Sequence, residues 1–250
     1  MRLLAALALL VSVPAPAQSP IEPWQPTAPY VILGQDEPGY RNWVAASPRH
    51  PVYVKAFNDY LTTWGVAGVV PTWQLLRTAS DWMKCGAAPF EVPPPEVWPN
   101  VVQALRYIRH RVIPAIGPVE PVSVYRNPAL NTCAHGAAES AHRFMQAVDM
   151  VPLRPITREQ LIGLLCNVHG RTGEPYGIGL GFYVGLRFHI DSRKFRKWGY
   201  GDMPAAAAAC MQPVPPPLPA APIAAPPIAA PPIATPPIAA PPSKTERGRP

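Results

Sequence analysis

Two short stretches hold residue types able to bind a metal ion. SAHRFMQAVDM (residues 140–150) carries His142 and Asp149 seven positions apart, with Ser140 just upstream of the histidine. RFHIDS (187–192) carries His189 and Asp191 two positions apart. A hydrolytic zinc site needs three protein ligands of the His, Asp or Glu type and an open fourth position. His142, Asp149 and His189 make up such a set. Zn2+ held this way lowers the pKa of water toward about 7 and polarises a carbonyl. Spacing alone leaves a second reading open, in which the same residues are hydrogen-bonded parts of a core or surface. His50, His110 and His169 are no better placed: they sit beside Pro, Arg or Gly, where solvent-exposed histidines are common, and His135 precedes Gly136 in a loop.

The elements that would position these side chains follow from hydrophobic period. In RFHID, strand alternation puts Arg187, His189 and Asp191 on one face and Phe188 and Ile190 on the core face. In QAVDM, Ala147 and Asp149 share a face while Val148 packs inward. PVSVYR and GIGLGFY are also short and strand-like, set off by Pro and Gly. The first half has helical spacing instead. Val54, Phe57, Tyr60 and Leu61 form one stripe before Gly65, and Val101, Leu105, Ile108 and Val112 form another. PTWQLLRTASDWMKCG (71–86) predicts a helix with Leu75, Leu76, Ala79 and Trp82 on one side. TREQLIGLLCNVHG predicts a helix with a Thr157–Gln160 capping box and Gly170 as its C-cap. The fold class expected is α+β: a helical N-terminal half, then a small, mostly antiparallel sheet with flanking helices.

The longer string VSVYRNPALNTCAHGAAESAHRFMQAVDM resembles the M15 peptidases, the zinc D-Ala-D-Ala carboxypeptidase group. Their pattern runs S-G-Y-R-[ST]-P-x-x-N, then Gly-Ala, then S-x-H-x-x-G-x-A-x-D. Ser123, Tyr125, Arg126, Pro128, Asn131, Gly136, Ala137, Ser140, His142, Ala147 and Asp149 stand in matching places. FHIDSRKFRKW is similar to the closing F-[VI]-H-[VI]-D-x-G-x-x-R-x-W, with Arg196 and Trp198 in register. The resemblance covers residues 122–198 and implies a Hedgehog/DD-peptidase-like sheet. It implies His142, Asp149 and His189 as zinc ligands and Arg126 near the scissile bond, holding an oxyanion or a substrate carbonyl; pairing of Arg126 with a carboxylate is the structural alternative. Ser140 and Tyr125 are the candidate substrate-binding residues, with a scaffold role as the alternative for each.

Three departures from the pattern stand out. Met145 replaces the glycine of H-x-x-G, so the loop between the ligands lacks a permissive residue. Asn127 replaces the Ser or Thr after the arginine. Leu186 and Arg187 occupy the positions where many members carry the general base, an acid three residues before the last histidine or a histidine two before it. Neither side chain can take a proton from water. Asp191 is the remaining acid on the His189 face. It is either the base or an acceptor that orients a ligand histidine.

The rest of the chain bounds the setting. MRLLAALALLVSVPAPAQ has one positive charge, a short apolar run and a small-residue cleavage site, so residues 1–17 are expected to be a secretory signal peptide. Export places the protein beyond the inner membrane, in the periplasm by the family resemblance, with no transmembrane segment after signal cleavage. Four cysteines without a C-x-x-C pair then favour two disulfides, of unspecified connectivity. Net charge is +7, but only 15% of residues are charged and no Lys/Arg run interleaves with aromatics, which argues against nucleic acid. Anionic wall polymer or lipid headgroups are better matched, and peptidoglycan peptides are the partner the resemblance implies. The 38 prolines are unevenly placed, and from Pro213 to Pro242 the chain runs into a PPIAA repeat before SKTERGRP. Residues 212–250 are thus expected to be an extended stalk of unknown partner. Between the two ends lie a helical region (18–112) and the expected zinc peptidase core (113–211).

Overall fold

Five short strands make an open sheet: β1 (Val119–Ser123), β2 (Ala147–Pro152), β3 (Gly179–Phe182), β4 (Phe188–Asp191) and β5 (Arg196–Trp198), in the order β1-β2-β4-β3-β5. All neighbouring pairs are antiparallel except β3 and β5, which run parallel at one edge. The computed structural model describes residues 24–199, 201–202, 208 and 210–211. The expected signal peptide and stalk lie outside the described residues. Among those described, no helix is long and apolar enough to cross a membrane.

Alternation along the strands divides the sheet as expected. Val148, Met150, Leu180, Phe188 and Ile190 are fully or almost fully buried in one hydrophobic core. Helices α3 (Pro99–Tyr107) and α6 (Arg158–Thr172) pack against that face. α3 continues through a π-helical turn (Ile108–Val112) into α4 (Ile113–Ile116). Pro114 explains the irregularity, because it has no N–H for the carbonyl one turn back. The stripe Val101, Leu105, Ile108 and Val112 is wholly buried. The expected boundary at residue 112 therefore falls inside one continuous helical rod.

α1 (Glu37–Ala45) begins at Asp36, whose carboxylate accepts from the Gly39 amide, and α2 (Arg49–Thr63) buries Phe57 and Leu61. The expected helix over 71–86 does not form. Only a 3-10 turn, Thr72–Leu76, is present, and Arg77 then bridges Phe90 in antiparallel fashion. Tertiary hydrogen bonding overrides the helical spacing. The buried Arg77 guanidinium donates to the Gln35 and Pro121 carbonyls at 2.8 and 2.6 Å and pairs with Glu120 at 2.7 Å. One side chain thus ties the N-terminal segment to β1. The capping box at Thr157 and Gln160 is present, but α6 runs past Gly170 and ends at Gly173. The extra turn buries His169, which donates from Nε2 to the Ile178 carbonyl at 2.6 Å and stacks on Phe195. His169 is thus a core residue, against the exposure expected for it.

All four cysteines pair, as Cys85–Cys133 and Cys166–Cys210. Two disulfides fit an extracytoplasmic protein. Cys133 ends α5 (Pro128–Cys133), so the first bridge fastens that helix to the 80–86 turns.

Candidate metal centre

The polar face of the sheet is organised by register. Ser123 pairs with Asp149, Asp149 with His189, His189 with Gly181 and Gly181 with Trp198, giving one row across all five strands. A second row runs Ala147, Asp191, Gly179, Arg196. The two glycines of β3 provide the space for this face. A Cβ at Gly181 would overlap the Trp198 ring, and one at Gly179 would overlap the Asp191 carboxylate.

His142 reaches the first row from outside the sheet. It lies in a 3-10 turn, Ala141–Phe144, capped by Met145 in the left-handed conformation at φ 53°. The position that departs from glycine therefore still adopts a glycine-like backbone, and the fully buried Met145 side chain holds it there. His142 Nδ1–H donates to the Val124 carbonyl at 2.6 Å, which leaves Nε2 with its lone pair free. That atom is buried and has no hydrogen-bond partner. It lies 3.3 Å from Asp149 Oδ1.

His189 completes the cluster. Its Nε2 faces Asp191 Oδ2 at 2.9 Å, and its Nδ1 faces Asp149 Oδ1 at 2.8 Å. With Nε2–H donating to Asp191, Nδ1 presents a lone pair to a carboxylate oxygen. Two lone pairs at that distance repel unless a proton or a cation lies between them. One ligand atom each from His142, Asp149 and His189 lies within 4.8 Å of the others, and all three residues are buried. The cluster could hold a metal ion, and the orphaned His142 Nε2 is an atom such an ion would engage.

Electrostatics favours the ligand forms of two of these groups. Burial, aided by the nearby Arg126 charge, pushes His142 down to about 4, so it is neutral. Burial works against ionisation of Asp149, yet the two histidines hold its carboxyl well below the usual range. For His189, burial also opposes the charge, but hydrogen bonds to Asp149 and Asp191 raise its pKa.

The other candidates separate clearly. Arg126 lies beside the cluster, pairing with Asp149 Oδ2 at 3.1 Å and donating from Nε to Ser123 Oγ at 3.2 Å. Its Nη1 has no partner among the described residues. Asp191 lies against the opposite edge of the His189 ring from the cluster. Its oxygens accept from Arg196 at 2.7 and 2.9 Å and from the Arg193 amide at 2.9 Å. Burial would raise its carboxyl, but the bond to His189 and then the Arg196 contact hold it at about 2. Ser140 lines the cleft over the cluster, whereas Tyr125 is buried in the core and does not reach it. Asn131 donates to the Ala137 carbonyl and shapes the cleft wall.

The cleft itself has a volume of about 430 Å³. Sequence reasoning gave no role to Tyr30, Tyr183 and Trp198, which also line it. Trp198 packs 5.6 Å from the His189 ring and 5.1 Å from Tyr183. The Gly-x-Gly alternation in β3 was the available signal, since a strand with two small residues on one face must accommodate something large there. Two further acids, Asp81 and Glu139, line the cleft and pair with Lys84 and Arg193. Compared with known proteins, the chain matches no family model, no curated protein and no solved structure.

Proposed function

We propose that the chain is an exported zinc metallopeptidase that hydrolyses D-amino-acid-containing stem peptides of peptidoglycan, as a D,D-carboxypeptidase or endopeptidase. One observation carries this reading: three lone-pair atoms, from His142, Asp149 and His189, converge beneath a cleft, with His142 Nε2 orphaned and a guanidinium alongside. Two imidazoles and one carboxylate are a donor set suited to Zn2+. When bound, the ion would activate water and polarise the scissile carbonyl.

The chain's own residues divide the remaining work. Arg126 spends two donors on Asp149 and Ser123, which fixes its plane and leaves Nη1 to hold the carbonyl oxygen as charge develops there. Asp191 fixes the His189 tautomer, with Arg196 holding the carboxylate in turn. In this reading Asp191 is a positioning residue, and the proton acceptor lies elsewhere.

A second reading is favoured by Leu186 and Arg187, neither of which can act as a base. In that reading the chain is a weakly active or inactive wall-binding module that keeps its metal and is tethered by the proline-rich segment. One experiment separates the two. The mature chain is incubated with stem peptides ending in D-Ala-D-Ala, with added zinc or with chelator, and the products are read by mass spectrometry. Chelator-sensitive loss of one D-Ala, or of a cross-link, is the expected result. Intact peptides after incubation with folded, zinc-loaded protein would establish the binding module instead.

A further inference from the structure

The hairpin joining β3 to β4 turns through Tyr183–Arg187, closed by a Tyr183 amide bond to the Arg187 carbonyl at 3.0 Å. This pairing stacks the Arg187 guanidinium on the Tyr183 ring at 3.9 Å. Tyr30 approaches Arg187 from the N-terminal segment, with its ring at 5.4 Å, and its hydroxyl donates to the Val184 carbonyl at 3.0 Å. Arg158 grips the other side of the turn through the Tyr183 and Gly185 carbonyls. Arg187 is therefore held in place by aromatic faces and a braced backbone.

What it is held for is not visible within the protein. Three arginines named above line the cleft: Arg126 pairs with Asp149 and Arg196 with Asp191. Arg187 has no carboxylate partner among the described residues, and its buried Nε has no hydrogen-bond acceptor. A preorganised guanidinium with unspent donors is matched by a planar anion able to accept two hydrogen bonds. Its position sets the distance. Arg187, Tyr183 and His189 line one cleft, and the Tyr183 ring stands between the other two, 3.9 Å from the Arg187 guanidinium and 6.5 Å from the His189 ring. One amino-acid residue advances a peptide by at most about 3.6 Å, and a charge-assisted hydrogen bond spans about 2.8 Å. A carbonyl at the ligand cluster followed by a single residue directs that residue's carboxylate along the cleft toward Arg187.

We infer that Arg187 anchors the free C-terminal carboxylate of the substrate, so that the cleft selects peptides from which one terminal residue is removed. This deepens the peptidase reading and rests on it for the position of the scissile bond. It also gives a use to the residue that stands where a base was expected.

The test is equilibrium binding of N-acetyl-D-alanine and of its C-terminal amide to the metal-free full chain, followed by NMR. No hydrolysis is needed, and no carboxylate can dock on an ion. Wild type should prefer the acid by about tenfold or more. Arg187→Gln should bring the ratio close to one. Should that variant unfold, Arg187→Lys decides, because charge without the planar fork gives an intermediate preference. Equal binding of acid and amide by wild type, binding of neither probe, or an undiminished preference in a folded variant overturns the proposal. Cleavage by the zinc-loaded chain is scored separately. An Arg187-dependent preference without cleavage removes the peptidase reading and leaves the anchor, and cleavage without that preference does the reverse.

Discussion

His189 is the residue on which the site turns, because its two nitrogens face two different carboxylates. Asp191 holds one nitrogen as a donor so that the other faces the cluster. Replacing it with asparagine removes the charge that fixes this tautomer, and Asp191→Asn should weaken zinc affinity by roughly 10- to 100-fold. Titration against a chelator of known affinity reads this directly. Native affinity with lost turnover would instead make Asp191 the proton acceptor. Met145 carries a different tension, a left-handed backbone under a fully buried side chain. Glycine would relieve about 1 kcal/mol of strain there but remove a core side chain whose truncation costs about 2–5 kcal/mol. Met145→Gly should therefore lower stability by roughly 2 kcal/mol in urea unfolding, and a stabilised variant would show that the strain dominates.

At the scale of elements, the sheet brings distant sequence together through register. β3 is small on the site face because Asp191, Arg196 and Trp198 need that space. Gly179→Ala should push on the Asp191 carboxylate and lower zinc affinity in the same direction as Asp191→Asn. Unchanged affinity would mean that Asp191 can shift without disturbing His189. Much of this layer was legible beforehand, because period-2 alternation in RFHID and QAVDM assigns His189 and Asp149 to the face opposite Phe188 and Val148. The spacing of His142 and Asp149 left a core or surface reading open, and it was the family resemblance that joined His142 to the other two residues. The segment over 71–86 was not legible, since its apolar spacing suits a helix while its fate is set by Arg77 bonds to Gln35 and Pro121, more than 40 residues away in both directions. β5 was also missed. RKW has no apolar alternation of its own and becomes a strand by pairing in parallel with β3. The orienting role of Arg196 was invisible for the same reason, because it depends on that pairing.

For the whole molecule, the described residues share one core, and buried histidines couple its stability to pH. Burial pushes His169 down to about 4, below its ordinary value of 6.5. The folded state therefore binds fewer protons than the unfolded state between those values, and stability falls as pH drops through this window. Going from pH 7 to pH 5 should cost roughly 2 kcal/mol through His169 alone. His142 adds a loss of the same sign in metal-free protein. Urea unfolding of wild type and His169→Gln at both pH values isolates the first contribution, since glutamine keeps a donor for the Ile178 carbonyl and does not titrate. An equal pH dependence in the two proteins would show that His169 is not responsible.

The account as a whole depends on His142, Asp149 and His189 forming one metal centre. Its most direct test is metal content per chain after equilibration with Zn2+ and removal of excess, for wild type and His142→Ala. One zinc per wild-type chain, lost in His142→Ala because two protein ligands hold the ion poorly, is the expected result. A wild-type chain that retains no zinc, or a His142→Ala chain that retains a full equivalent, would contradict it.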